Sequence, residues 1–410
     1  MLKQYPKINY KEHPAFKKFF VSYNYDDLKI DEMISNIDQA IEEVSKVESI
    51  EQLHVAFEKE ISVCIDRLVD YVKDHMNSFI ALELFTKAID YVKHEVFQSL
   101  IRGSLHTKYV EKQCDQSKLE ALKKDGYYIA NVSEKLKREL YEASRPYYER
   151  LKQKAIKYPH LRSHESVKKF SKLSKAINKL VKEANILDVV SNYTQADMKI
   201  MGTGIEYSCA DHTWYKNPYP DVENYQSDHY YLHLDEADYL PKTLYYLTPV
   251  HSVDQGATKF IKGSHTATRS HFVTLFHKGL DKVSVERFFK LDDTYYRPLY
   301  KNMELRSFLA KFPARLIGSS HLGDDVIPGS DISKELSENE VTFLSEGLEA
   351  IVFDGGNGLH KGANVKVGER LSLQIIYTAK NERLVERLSK KYKLTDKATL
   401  IAKQIRELFL

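Results

Sequence analysis

Three residues in two distant stretches have the types and spacing to hold a metal ion. In Tyr231-Leu-His-Leu-Asp-Glu-Ala-Asp238, His233 and Asp235 stand at i and i+2. On a β-strand both side chains therefore leave the same face of the sheet. Far downstream, in Gly358-Leu-His-Lys-Gly362, His360 offers a second imidazole. Two imidazoles and one carboxylate on one face of an ion, with the opposite positions open, suit non-haem Fe(II) and O2 chemistry.

A His-x-acid triplet alone is common, and what strengthens this one is its company. His360 follows the apolar run Leu348-Glu-Ala-Ile-Val-Phe and the turn Asp354-Gly-Gly-Asn-Gly358, which places it at the mouth of a sheet. Arg370 and Ser372 follow at i and i+2 on the next strand, so they share a face. A guanidinium fork beside a hydroxyl can grip a carboxylate at two points. Tyr245, on a strand with Thr243 and Leu247, is either a contact to such a bound carboxylate compound or a core aromatic.

In combination and order these motifs resemble the Fe(II)/2-oxoglutarate-dependent dioxygenases, and among them the phytanoyl-CoA dioxygenase-like group. Further similar features are Tyr245-Tyr-Leu-Thr-Pro with Asp254-Gln-Gly-Ala-Thr-Lys-Phe-Ile-Lys-Gly-Ser-His265, where Lys262 stands in place of the usual proline, and an opening segment Asp125-Gly-Tyr-Tyr-Ile. The resemblance covers about 119–379 and leaves the first hundred-odd residues outside it. It implies that His233, Asp235 and His360 ligate Fe(II), that Arg370 and Ser372 hold the C5 carboxylate of 2-oxoglutarate as cosubstrate, and that O2 takes the remaining position. The implied reaction hydroxylates an unactivated C–H bond of a small or medium-sized metabolite and releases succinate and CO2. The carboxylate of Asp235 favours hydroxylation over halogenation, because related halogenating enzymes carry Gly or Ala there. Two other readings compete: a cupin-like metal enzyme that uses no 2-oxoglutarate, against which Arg370 with Ser372 stands, and a non-catalytic β-helix binding or scaffold protein.

The elements that must position these groups follow from periodicity. From Ile50, the residues Leu53, Phe57, Ile61, Cys64, Leu68 and Val72 recur at three- and four-residue steps, the stripe of one long helix capped by Ser49. Ile80 to Leu100 continue in that style. Gly126 then stops a short helix, a brief strand covers Tyr127 to Ala130, Ser133 starts a long helix, and another helix fills roughly Glu165 to Ala184. After Asp188 short runs separated by Gly, Asn, Asp and Pro read as strands: 198–201, 230–234, 243–247, 257–261, 350–353 and 371–377. The expected class is α+β: a double-stranded β-helix (jelly-roll) core with flanking helices, a helical N-terminal region at 1–112, a catalytic domain at 113–410, an inserted lid subdomain at about 278–339 and a C-terminal helix.

Composition bounds partners. The 410 residues carry 61 Lys+Arg against 58 Asp+Glu, a formal charge of +3 that points to no nucleic-acid or membrane-surface partner. Three cysteines without a C-x-x-C pair and no apolar leader favour a reducing, cytoplasmic setting without a membrane span. The partner expected is a small-molecule substrate, with the N-terminal helices a surface for homo-oligomer formation.

Overall fold

The computed structural model describes residues 1–20, 25–106, 109–212, 219–223, 225–236, 240–288 and 302–392. Expectations that fall on 289–301 of the insert and on 393–410 lie outside these residues.

Asp26 accepts from the amides of Leu28 and Lys29 and so starts α1 (Asp27–Ser45). Ser49 caps α2 (Ile50–Ala56) through the Gln52 amide, as its position predicts. The single long helix expected from 50 to 72 is interrupted by a π-helical segment, Phe57–Ser62, before α3 (Val63–His75). The reason lies in the spacing: Leu53, Phe57, Ile61 and Ile65 recur every four residues and would drift round a 3.6-residue helix, and the wider π turn keeps all four buried. Ile65, not Cys64, continues the stripe. Next comes α4 (Phe79–His106), which is buried on most of its circumference, including Lys93, which pairs with Asp66 at 2.9 Å.

In chain order there follow α5 (Gln116–Asp125), β1 (Tyr127–Asn131), α6 (Glu134–Lys157), β2 (Ser163–Ser166), α7 (Lys172–Glu183), α8 (Ile186–Thr194), β3 (Met198–Cys209), β4 (Pro241–Tyr246), β5 (Thr258–Ile261), α9 (His271–Phe288), α10 (Met303–Leu309), α11 (Asp331–Glu338), β6 (Glu340–Phe343), β7 (Glu349–Asp354), β8 (His360–Lys361), β9 (Glu369–Ala379) and α12 (Glu382–Lys391). Gly126 closes α5 in the left-handed region, at φ 83°. Three strands escape the sequence pattern. β2 (Ser-His-Glu-Ser) has no apolar alternation and occupies the start of the helix expected at 165–184, β6 directly follows the insert, and β8 has two residues. Conversely, the strand expected at 230–234 is a single bridge at His233, because Tyr231 turns the chain at φ 65°.

The strands form two antiparallel sheets, ordered β1-β7-β4-β9-β3-β2 and β6-β5-β8, with His233 bridged to His360 at the edge of the smaller one. Leu244, Tyr246, Ile351 and Phe353 of the larger sheet pack on Phe260 and Phe343 of the smaller, so the sheets face each other. The outer face of the larger sheet, with Tyr245, Leu373, Ile375 and Tyr377, is covered by α5 to α8. The outer face of the smaller sheet packs Leu232, Leu234, Ile261 and Leu359 against Leu2, Leu322 and Leu336.

The N-terminal helices share one continuous core with α9, α10, Phe312 to Ile317 and Val385 of α12. The first helices and the insert thus form one layer beside the sheets. Arg306 of α10 is fully buried, paired with Asp221 and donating to the Ala15 carbonyl. Where the insert meets the smaller sheet, a Cβ on Gly323 would collide with the His229 carbonyl and with Leu232. Gly323→Ala should therefore cost about 3 kcal/mol, the upper end of overpacking penalties, read as a lowered thermal midpoint of unfolding. Among the described residues no helix is long and apolar enough to cross a membrane.

Candidate metal centre

Side-chain packing shows where the ligand candidates point. Leu232 and Leu234 pack in the outer core of the smaller sheet, whereas Asp235 pairs with Lys242 of β4 and the His233 ring lies against that of His360, on the side of the larger sheet. Just before β8, Leu359 points outward, and His360 in β8, opposite Phe260, points inward against Phe353. Two backbone hydrogen bonds between His233 and His360, at 2.9 and 3.0 Å, fix the two ligand stretches side by side. The Asp235 amide donates to Gly355 O at 2.9 Å, and a Cβ on Gly355 would run into the Asp235 carboxylate, so only glycine leaves that carboxylate room.

The imidazoles are oriented by backbone. Nδ1 of His233 lies 2.6 Å from Tyr231 O and Nδ1 of His360 2.9 Å from Gly358 O, so each Nδ1 carries the proton and each Nε2 keeps its lone pair. The rings lie 4.4 Å apart at 48°. Asp235 Oδ1 is 3.6 Å from His233 Nε2 and 3.5 Å from His360 Nε2. His360 Nε2 is buried without a hydrogen-bond partner. The three groups form the one cluster of potential ligand atoms among the described residues, all within 4.8 Å of one another. Two lone pairs and a carboxylate oxygen converging there match the donor set of a divalent transition metal and leave a buried polar atom unsatisfied without one.

Electrostatics keep these donors in their ligating forms. Burial lowers the pKa of both imidazoles, so they stay neutral near pH 7. Burial alone would raise the Asp235 carboxyl, but the Lys242 ammonium holds it well below the usual carboxylate range. Lys242, on β4 opposite Phe353, places Nζ 2.9 Å from Asp235 Oδ1 and 2.7 Å from Oδ2. His321, from the insert, stacks on His233 at 5.1 Å and 14°.

Further along the same inner face lies a cationic pocket end. In the register of the larger sheet Arg370 sits opposite Ser208, and Ser372 opposite both Glu206 and Tyr246. Arg370 is buried, donates through Nη1 to Gly256 O and Ala363 O and through Nη2 to Ser208 Oγ at 3.2 Å, and its Nε is buried without a partner. Among the described residues no carboxylate lies within ion-pair distance of it, and the nearby buried Glu206 is paired with Arg162 instead. A buried guanidinium whose own hydrogen bonds go only to neutral oxygens is a seat for an anion.

Tyr245 does not join this site. Its side chain lies on the helix-covered face and its hydroxyl donates to Gly347 O at 2.6 Å. The residue beside Ser372 on the inner face is Tyr246, whose hydroxyl accepts from the Thr258 amide at 2.7 Å. In a Tyr-Tyr pair a one-residue shift reverses the face. Lys242 and His321 carry no motif signal, and Tyr246 and Gly355 lie within quoted motifs that assign them no role. Strand parity with Ser372 is the one cue that could have found Tyr246.

No protein-family model matches the chain, and no curated protein sequence matches it. Among solved structures it is similar to the non-heme alpha ketoglutarate dependent carbocyclase SnoK from nogalamycin biosynthesis (12% identity, TM-score 0.33, covering 67% of this chain and 91% of that one). It is also similar to EctD from S. alaskensis with 2-oxoglutarate and 5-hydroxyectoine (13%, TM-score 0.37, 65% and 76%). A third is HygX from Streptomyces hygroscopicus with iron bound (13%, TM-score 0.35, 65% and 88%).

Proposed function

We propose that this chain is an Fe(II)- and 2-oxoglutarate-dependent oxygenase of the phytanoyl-CoA dioxygenase-like kind, built on a double-stranded β-helix, that hydroxylates a C–H bond of a small or medium-sized metabolite. The observation that carries the reading is the pairing of two halves on one inner face: a His233–Asp235–His360 donor set, and a buried guanidinium without a carboxylate partner at Arg370.

When bound, Fe(II) with a chelated 2-oxo acid supplies O2 activation and C–H oxidation, with succinate and CO2 as co-products. The chain's own residues do the rest. His233 and His360 present Nε2, fixed by their Nδ1–H bonds to backbone carbonyls. Arg370 and Ser372 hold the C5 carboxylate, and the apolar packing of Tyr246, Leu244 and Phe353 around that face excludes water. Strand rise of about 3.3 Å per residue separates Lys242, at the metal end, from Tyr246, at the Arg370 end, by roughly 13 Å, a span that accommodates a five-carbon dicarboxylate between a metal and a guanidinium. A cupin-like enzyme without 2-oxoglutarate would leave Arg370 buried with no ligand. The insert, which reaches His233 through His321, is read as the lid that shapes the substrate mouth, within a catalytic domain at 113–410. The helices of 1–112 remain the proposed surface for self-association.

The test is Fe(II)-dependent release of CO2 and succinate from 2-oxoglutarate under air, across a panel of metabolites. Absence of turnover with and without every candidate, in protein shown to be metal-loaded, contradicts the reading. The two adjacent tyrosines provide a check on the face assignment. Tyr246→Phe should weaken 2-oxoglutarate binding measured by calorimetry. Tyr245→Phe should leave it unchanged while costing about 1 kcal/mol of stability for the orphaned Gly347 carbonyl.

A further inference from the structure

The cation beside the metal ligands has no part in the donor set, yet it changes the charge of the site. The three ligands alone carry one negative charge, and Lys242 cancels it. Its Nζ lies over the Phe353 ring at 5.4 Å, and the Asp235 carboxylate is its ion-pair partner. Lys242 reaches both oxygens of that carboxylate: Oδ1, which faces both Nε2 atoms, accepts from Nζ at 2.9 Å, and Oδ2, 2.7 Å from Nζ, is hemmed in by Gly355. A divalent ion entering between the imidazoles therefore meets a neutral pocket with an ammonium a few ångströms away, and repulsion between like charges at that range is strong in a partly buried site.

We propose that Lys242 is a positioning and charge-setting residue: it fixes Asp235 by both carboxylate oxygens and makes the site a weak one for the bare divalent ion but a strong one for the ion carrying an anionic chelate. The inference rests on the iron reading above. Once a divalent ion is seated, the charge near it is one unit more positive than the three ligands alone would give, and a chelating carboxylate relieves that excess. Lys242 thus opposes the first binding event and favours the second. A purely structural role, holding Asp235 in place, gives a different signature, because losing it would weaken both events.

The experiment uses the full chain and its Lys242→Met, Lys242→Gln and Lys242→Arg variants, each checked for folding by its thermal midpoint. Mn(II) affinity is read from the EPR signal of the free ion, and 2-oxoglutarate affinity is measured by calorimetry at saturating Mn(II). Both neutral variants should bind Mn(II) alone at least about tenfold tighter and then bind 2-oxoglutarate several-fold more weakly, whereas Lys242→Arg stays near the parent. Neutral variants that bind Mn(II) no tighter than the parent, or that lose affinity for both ligands together, overturn the proposal. A parent chain that binds no Mn(II) overturns the metal reading itself, and this inference with it.

Discussion

Asp235→Ala is expected to abolish the metal site. Asp235 supplies the sole carboxylate of the cluster, and Oδ1 is the atom that faces both imidazoles. Removing a direct ligand should exceed the ~10–100-fold typical of losing an outer partner of a ligand, so Fe(II) or Mn(II) affinity should fall by more than about 100-fold and oxidation should cease. The same substitution leaves the Lys242 ammonium without its ion pair. A folding defect could then mimic a ligand defect, and the double variant Asp235→Ala/Lys242→Met separates the two. It should regain stability, because no buried charge is left unpaired, yet still bind no metal. Undiminished metal binding by Asp235→Ala, measured by free-ion EPR, would remove Asp235 from the ligand set.

The second large effect is expected at Arg370. Its guanidinium is buried, its Nε has no partner, and its hydrogen-bond acceptors in the protein are neutral oxygens. If it holds the distal carboxylate, Arg370→Met should cost about 2–5 kcal/mol of 2-oxoglutarate binding, roughly 30- to several-thousand-fold, the range for truncating one partner of a buried charge pair. Metal binding alone should be almost unchanged, because Arg370 lies at the far end of the face. Calorimetry with 2-oxoglutarate and Mn(II) in turn reads both. Equal loss of the two affinities would mean a fold defect.

The sequence shows one half of this site more clearly than the other. His233 with Asp235, and Arg370 with Ser372, could be picked out by their i, i+2 spacing and His360 by its place after an apolar run and a glycine turn, and the structure brings all five to the space between the sheets. Tyr245 was legible as a strand residue, but its face could not be distinguished from that of Tyr246, because the two are adjacent and chemically identical. Lys242 and His321 were hidden for another reason. A lysine at a strand start reads as solvated, and a histidine in an insert carries no spacing to the motif, so only tertiary contact reveals them. In the fold, the helix stripe at 53–72 was visible, but the π segment that reconciles its four-residue steps with a helix was not. The union of the N-terminal helices with α9 and α10 in one core is a long-range fact that no local period encodes.

Anaerobic addition of Fe(II) and then 2-oxoglutarate tests the central claim most directly. A weak visible charge-transfer band should form in the parent chain, be absent from His233→Ala, and require far more 2-oxoglutarate in Arg370→Met. No band in the parent, or a band that both variants retain at parent concentrations of 2-oxoglutarate, would contradict it.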